Sequence, residues 1–131
     1  MIIYHTDKMI TAAELSQVFA SSGIKRPYQD LERLQKMIEN ADMLISAWDG
    51  DQLVGIARAV TDFVYCCYLS DLAVNQDYQR LGIGKQLVER LKETLGPEVS
   101  LVLLSAPTAV EYYPRIGFTQ TDKCYLIPRV R

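Results

Sequence analysis

The sequence predicts an α/β fold of the α+β kind, a mixed, mostly antiparallel, twisted central sheet with helices on both faces. Short apolar runs parted by turn residues cluster in the first half of the chain, as antiparallel hairpins do. Later an amphipathic helix stands between two apolar runs, the pattern of a strand-helix-strand crossover. A Gly-x-Gly turn joins that helix to the strand before it, at the carboxyl end where open sheets bind ligands.

Each element follows from its own residues. Ile2 to His5 is short and apolar, suited to a first or edge strand. Thr11-Ala12-Ala13-Glu14 is a capping box, Leu15, Val18 and Phe19 mark one helical face, and Gly23 suits the stop. Pro27 opens a second helix, on which Leu31, Leu34, Met37 and Ile38 repeat at helical spacing. Met43 to Trp48 reads as a strand, Asp49-Gly50-Asp51-Gln52 as a hairpin turn, and Leu53 to Val60 as the partner strand. Phe63 to Val74 makes a long third member. Ile83, Leu87, Leu91 and Leu95 lie on one stripe of the next helix, which Gly96-Pro97 ends. Ser100 to Leu104 is nearly all apolar and predicts a central strand buried on both faces. A short helix over about Thr108 to Tyr113 and a last strand at Lys123 to Ile127 complete the order. Residues 1–131 read as one domain, without repeats or linkers.

Composition narrows the function. With 49% hydrophobic and 23% charged residues the balance is that of a globular protein. A net charge of −2 with scattered basic residues gives no footprint for nucleic acid or for a membrane surface. No signal pattern precedes the first strand, which predicts a cytoplasmic protein. Cys66 and Cys67 alternate across a strand and Cys124 is remote, so no metal site is expected; all three read as small buried hydrophobes in a reducing compartment.

The chemistry concentrates in Leu72 to Leu95. Gln79-Arg80-Leu81-Gly82-Ile83-Gly84-Lys85 leads straight into the amphipathic helix, and its glycines admit a ligand close to the backbone. N–H groups of a first helical turn lack intrahelical partners, and the dipole there favours a phosphate or pyrophosphate. The same glycines would also suit tight packing of helix on sheet. Leu87 stands where a dinucleotide fingerprint needs its third glycine, and no Gly-Lys-Ser/Thr occurs, so neither dinucleotide nor P-loop binding fits.

This segment resembles motif A of the GNAT superfamily, the acyl-CoA-dependent N-acyltransferases. Gln79, Gly82 and Gly84 match the family's Gln/Arg-x-x-Gly-x-Gly/Ala, and Leu72-Ala73-Val74 matches the end of its fourth strand. Ala109 to Phe118 is similar to its Ala…Tyr-x-x-x-Gly-Phe element, with Gly117-Phe118 closing it. The resemblance implies a sheet of about six to seven strands flanked by about four helices. It implies acetyl-CoA as cosubstrate, held by Leu72, Ala73 and Val74 and by the backbone of Gln79, Arg80, Leu81, Gly82, Ile83, Gly84 and Lys85. An N–H near Leu72 would polarise the thioester carbonyl. Arg80 and Lys85 either add charge there or are solvated.

By the same resemblance Tyr113 is the general acid, a phenol that stays protonated at neutral pH; Tyr112 is its control. Pro114, directly after it, should kink or stop the helix. For the amine's proton Asp71 is the first candidate, with Glu111 second, and Tyr68 and Ser70 as the lining of a water path. His5 is remote from the motif. The family's acceptor site corresponds to the two first helices and the Ser21–Asp30 loop, with Tyr28, Trp48 and Tyr65 as an aromatic wall or as core. The acceptor then is a small-molecule amine attacked directly in a ternary complex, since no cysteine has a cationic partner to activate it. A non-catalytic acyl-CoA sensor and an enzyme acting on protein or peptide amines are the alternatives. Homodimers are common in the family, and the sequence leaves that open.

Overall fold

The computed structural model describes residues 1–131. Its elements are β1 (Ile2–His5), α1 (Ala12–Ser22), α2 (Leu31–Glu39), β2 (Met43–Asp49), β3 (Gln52–Thr61), β4 (Cys66–Val74), α3 (Ile83–Leu95), β5 (Ser100–Val102) and α4 (Tyr112–Arg115). Single 3-10 turns precede α3 (Gln76–Tyr78) and α4 (Pro107–Ala109). The sheet runs in the order β1-β2-β3-β4-β5, antiparallel throughout except for the β4–β5 pair. No helix is long and apolar enough to cross a membrane.

Two cores sandwich this sheet. Leu15, Val18 and Phe19 of α1 and Leu34 of α2 pack with Trp48, Leu53 and Ile56 on one face. On the other, Ile83, Leu87, Val88 and Leu91 of α3 cover Ile45, Val54, Ala57 and Leu69. Burying each such aliphatic side chain is worth about 1.5–3 kcal/mol. The α1 capping box forms as read: Glu14 N–H donates to Thr11 Oγ1, and Thr11 N–H donates to Glu14 Oε1. Gly23 stops that helix at φ +83°.

A register shift in β4 matters most for function. Arg58 of β3 faces Asp71, but the next residue, Ala59, faces Leu69, so Ser70 is an extra residue, a β-bulge. One inserted residue reverses the faces of everything after it. Before the bulge Cys67 and Leu69 point to the α3 side; after it Leu72 and Val74 do, and Ala73 packs against the α1–α2 core. Asp71 therefore turns toward α1 and α2.

Several expectations are corrected. Five strands form where about six to seven were implied, because Lys123 to Ile127 pairs with nothing. Ser100 to Leu104 is accordingly not central: β5 is a three-residue edge strand, exposed along Ser100 and Val102. β4 starts at Cys66 and not at Phe63. Asp62 accepts the N–H groups of Val64, Tyr65 and Cys66, which closes a tight turn in which Phe63 takes φ +62°. α2 starts at Leu31, not Pro27, because Asp30 caps it by accepting the Arg33 N–H. Only Cys67 is a buried hydrophobe; Cys66 and Cys124 are exposed. Leu34→Ala should lower the unfolding free energy by about 2–5 kcal/mol and Thr11→Ala by about 1 kcal/mol, both measured by urea denaturation.

Candidate active site

β4 and β5 pair over only Cys66↔Ser100, Cys67↔Leu101 and Tyr68↔Val102. Past Tyr68 the two strands part, and Leu69 to Val74 pairs with β3 alone. The opening between them lies beside the first turn of α3.

That turn is a backbone cradle. Arg80 (φ +70°) and Gly82 (φ +80°) are left-handed, and Gly82 caps α3 with no side-chain hydrogen bond. The first N–H to find a partner is that of Gln86, bonded to the Gly82 carbonyl. The six consecutive N–H groups from Arg80 to Lys85 donate to no protein acceptor. Successive free N–H groups at a helix start, flanked by left-handed residues, form a concavity for an anion. Gly84 is buried, and a Cβ there would collide with the Tyr112 hydroxyl; at Gly82 a Cβ would meet nothing, so that glycine serves its positive φ. The Gln79 side chain is committed to structure, donating to the carbonyls of Val74 (2.9 Å) and Ser22 (3.4 Å).

Asp71 is fully buried, and each of its oxygens accepts from a guanidinium. Arg26 Nε, in the α1–α2 loop, donates to Oδ1 at 2.5 Å, and Arg58 Nε donates to Oδ2. Arg26 also donates to the Ser70 carbonyl (2.8 Å) and Arg58 to Ser70 Oγ (3.0 Å), so both arginines grip the bulge itself. Two cations on one carboxylate leave a net positive cluster.

Two phenols adjoin the α3 turn, Tyr112 with its hydroxyl beside Gly84. Tyr113 is half-buried and packs edge-on against Tyr112 (5.3 Å between centroids) and Phe118 (5.6 Å). Burial raises its pKa above the ordinary phenol value, Tyr112 adds to the rise, and the nearby Arg26 charge opposes it. Burial raises Tyr112 as well. Pro114 occupies the third position of α4, where a missing N–H costs nothing, so the helix starts at Tyr112 and does not end at Tyr113 as the sequence suggested.

The acetyltransferase (GNAT) domain family model matches residues 10–125. The chain belongs to the GNAT acetyltransferases. It is 32% identical over 127 residues to an uncharacterised N-acetyltransferase (ycf52) of Pyropia yezoensis, covering 89% of this chain and 70% of that protein. It is 33% identical over 110 residues to a chloroplastic serotonin N-acetyltransferase of rice, covering 79% of this chain and 54% of that one. Among solved structures, a probable acetyltransferase of Staphylococcus aureus superposes with a TM-score of 0.85 at 21% identity, covering 100% of this chain and 99% of that one. An aminoglycoside acetyltransferase from a soil metagenome, in complex with sisomicin, gives 0.70 at 18% identity over 99% and 96%. These two likenesses concern the fold.

Within this GNAT fold the predicted residues fall into three groups. Leu72 and Val74 line the α3 side with Ile83 and Gly84, whereas Ala73 is buried on the opposite face and Leu81 is exposed. Tyr113 packs on Tyr112, whose hydroxyl borders Gly84, and Asp71 is fully buried with both oxygens paired to arginines. His5 sits on β1, three strands from β4, and Trp48 is core, its Nε1 donating to Ser46 Oγ (2.8 Å). Tyr28 is on the α1–α2 loop and Tyr65 at the distant hairpin tip, so they form no common wall. Sequence reasoning missed Arg26 and Arg58. The signal was present: Arg58 interrupts one apolar strand and Asp71 the next, and buried charges of opposite sign seek each other. Asp71→Ala should cost about 3–5 kcal/mol by stranding both cations; chemical denaturation measures it.

Proposed function

We propose that this chain moves an acetyl group from acetyl-CoA to a primary amine by direct attack with both substrates bound, and that the acceptor is a small molecule. The observation that carries this reading is the run of free N–H groups from Arg80 to Lys85, opening beside the parted strands and within reach of a phenol pair. Its geometry suits a pyrophosphate, with Leu72 and Val74 flanking the path of the pantetheine arm. When bound, acetyl-CoA supplies an activated thioester. The protein's part is to hold it, to orient the amine and to move protons.

Tyr113 is the proposed acid toward the departing thiolate. Its pKa, raised by burial, keeps it protonated from neutral pH through the mildly alkaline range in which an alkylamine gains its neutral fraction. Asp71 is proposed as a positioning residue and not as the base, because both of its oxygens are occupied. The ammonium proton then leaves through water in the opening, along Ser70 and Tyr68, both partly exposed. Support for a small acceptor comes from the named activities of the rice relative and of the aminoglycoside acetyltransferase with its bound sisomicin.

Titration calorimetry with acetyl-CoA, and with NAD as control, tests the cosubstrate: acetyl-CoA alone should bind, and Gly84→Val should weaken it at least about tenfold. Binding of neither ligand removes the reading. Tyr113→Phe should retain acetyl-CoA binding and lower turnover about 100-fold, whereas Tyr112→Phe should not; an equal loss from both reassigns the acid. With an alkylamine of pKa about 10.4, kcat/KM should rise about tenfold per pH unit below that value. Because Tyr113 titrates above the ordinary phenol value, no alkaline fall should appear below about pH 10. Asp71→Asn should leave the shape of this profile unchanged while lowering stability; a flattened rise would make Asp71 the base.

A further inference from the structure

Two guanidinium groups share one carboxylate, and part of the charge left over is open to solvent. Asp71 is fully buried, whereas the side chains of Arg26 and Arg58 keep 21% and 12% of their surface exposed. Each guanidinium has five N–H donors. Arg26 commits three of them, to Asp71 Oδ1 and to the Lys25 and Ser70 carbonyls. Arg58 commits two, to Asp71 Oδ2 and Ser70 Oγ, and its Nη1 has no protein acceptor and is not sealed from water. One cation would suffice to neutralise Asp71; two cations and one anion leave a formal charge of +1.

That surplus borders both the proposed acid and a cavity. Arg26 is close enough to Tyr113 for its charge to oppose the rise in the phenol's pKa. A cavity of about 240 Å³ opens beside it, lined by Arg26, Pro27, Tyr28, Gln29 and Asp30. The loop is pre-organised. Tyr28 N–H donates to the Arg26 carbonyl (2.8 Å), Asp30 N–H to the Pro27 carbonyl (3.0 Å) and Ser16 Oγ to the Tyr28 carbonyl (2.6 Å). Donors held in this way lose little entropy when a ligand binds. A guanidinium fork matches a carboxylate through parallel N–H bonds. A surplus of one charge suits a monoanion, and Asp30 in the cavity wall disfavours a second negative group. Tyr28, 38% exposed, offers an aromatic face to an apolar side chain.

We propose that the amine acceptor carries a carboxylate, as an amino acid does, and that Arg26, backed by Arg58, binds it at the cavity of the α1–α2 loop. This rests on the reading of the chain as an acetyl-CoA-dependent enzyme. The carboxylate takes the spare N–H donors and offsets the surplus charge, which leaves the amine free to attack. It takes no part in the transfer, in which the N–C bond forms, the thioester C–S bond breaks, the amine gives up a proton and the sulfur gains one. Asp71 aims the two guanidinium groups and does not itself meet the acceptor.

Thiol release from acetyl-CoA tests leucine, phenylalanine, β-alanine and 4-aminobutanoate, each against its own carboxamide. In at least one pair the acid should be favoured about tenfold or more in kcat/KM, although the carboxamide has the less basic amine and so the larger neutral fraction. For that pair Arg26→Gln should raise KM for the acid about tenfold, change kcat less than KM, and leave KM for the carboxamide as it was. This variant keeps Arg58 against Asp71, and its acetyl-CoA affinity, measured by calorimetry, should match the wild type. The N-acetylated products of the pair, titrated into wild-type protein with CoA, should bind more tightly as acid than as carboxamide. That measurement needs neither turnover nor a variant, and it decides the matter if Arg26→Gln does not fold. Equal or better use of the carboxamides, or an acid preference that survives Arg26→Gln, overturns the proposal. Thiol release with phenethylamine but with none of the acids refutes carboxylate recognition alone. Failure of the wild-type protein to bind acetyl-CoA is a separate result, which removes the cosubstrate reading and this proposal with it.

Discussion

The Asp71 carboxylate and its two guanidinium partners tie the α1–α2 loop to the sheet at the β4 bulge. Taking three charges out of water costs several kcal/mol per ion, and only close, hydrogen-bonded pairing offsets it. Arg58 anchors the carboxylate within the sheet, from the neighbouring strand β3. Arg26 reaches it from the α1–α2 loop and thereby fixes the segment that borders the opening. The Ser70 bulge makes the arrangement reachable, because without the extra residue Asp71 would face α3 and its apolar core. One inserted residue in β4 thus decides where the loop of the site is held.

From that cluster the electrostatics of the opening follow. Its surplus positive charge lies close enough to Tyr113 to oppose the effect of burial on the phenol. Burial still prevails, so the phenol stays above its ordinary pKa. Across the opening, the free N–H groups at the start of α3 add a second region of positive potential. An anion would therefore meet a favourable field both at the arginine cluster and at the α3 turn.

The α3 turn shows how different residues of one motif carry different loads. Gly82 is required for a backbone angle, Gly84 for space beneath the Tyr112 hydroxyl, and Gln79 for two hydrogen bonds that hold the preceding loop against Val74 and Ser22. Only the backbone between them is left free for a ligand. The sequence shows all three residues with equal weight, and their division of labour emerges from the neighbours.

Local physics was legible in the chain itself. The Thr11–Glu14 box, the Gly23 and Gly96 stops, the four-residue apolar stripe of α3 and the Gly82–Gly84 turn depend on residues within a few positions of one another, so composition and spacing determine them. Long-range decisions were not legible. A bulge at Ser70 is a mismatch between two strands and has no signature within either; it turns Asp71 toward the α1–α2 side, where two arginines pair with it. The edge position of β5 and the idle strand at Lys123 to Ile127 likewise depend on which backbone groups find partners. Strand propensity at Cys124 to Ile127 is a property of those residues, but pairing needs an edge within reach, and tertiary structure alone decides whether there is one.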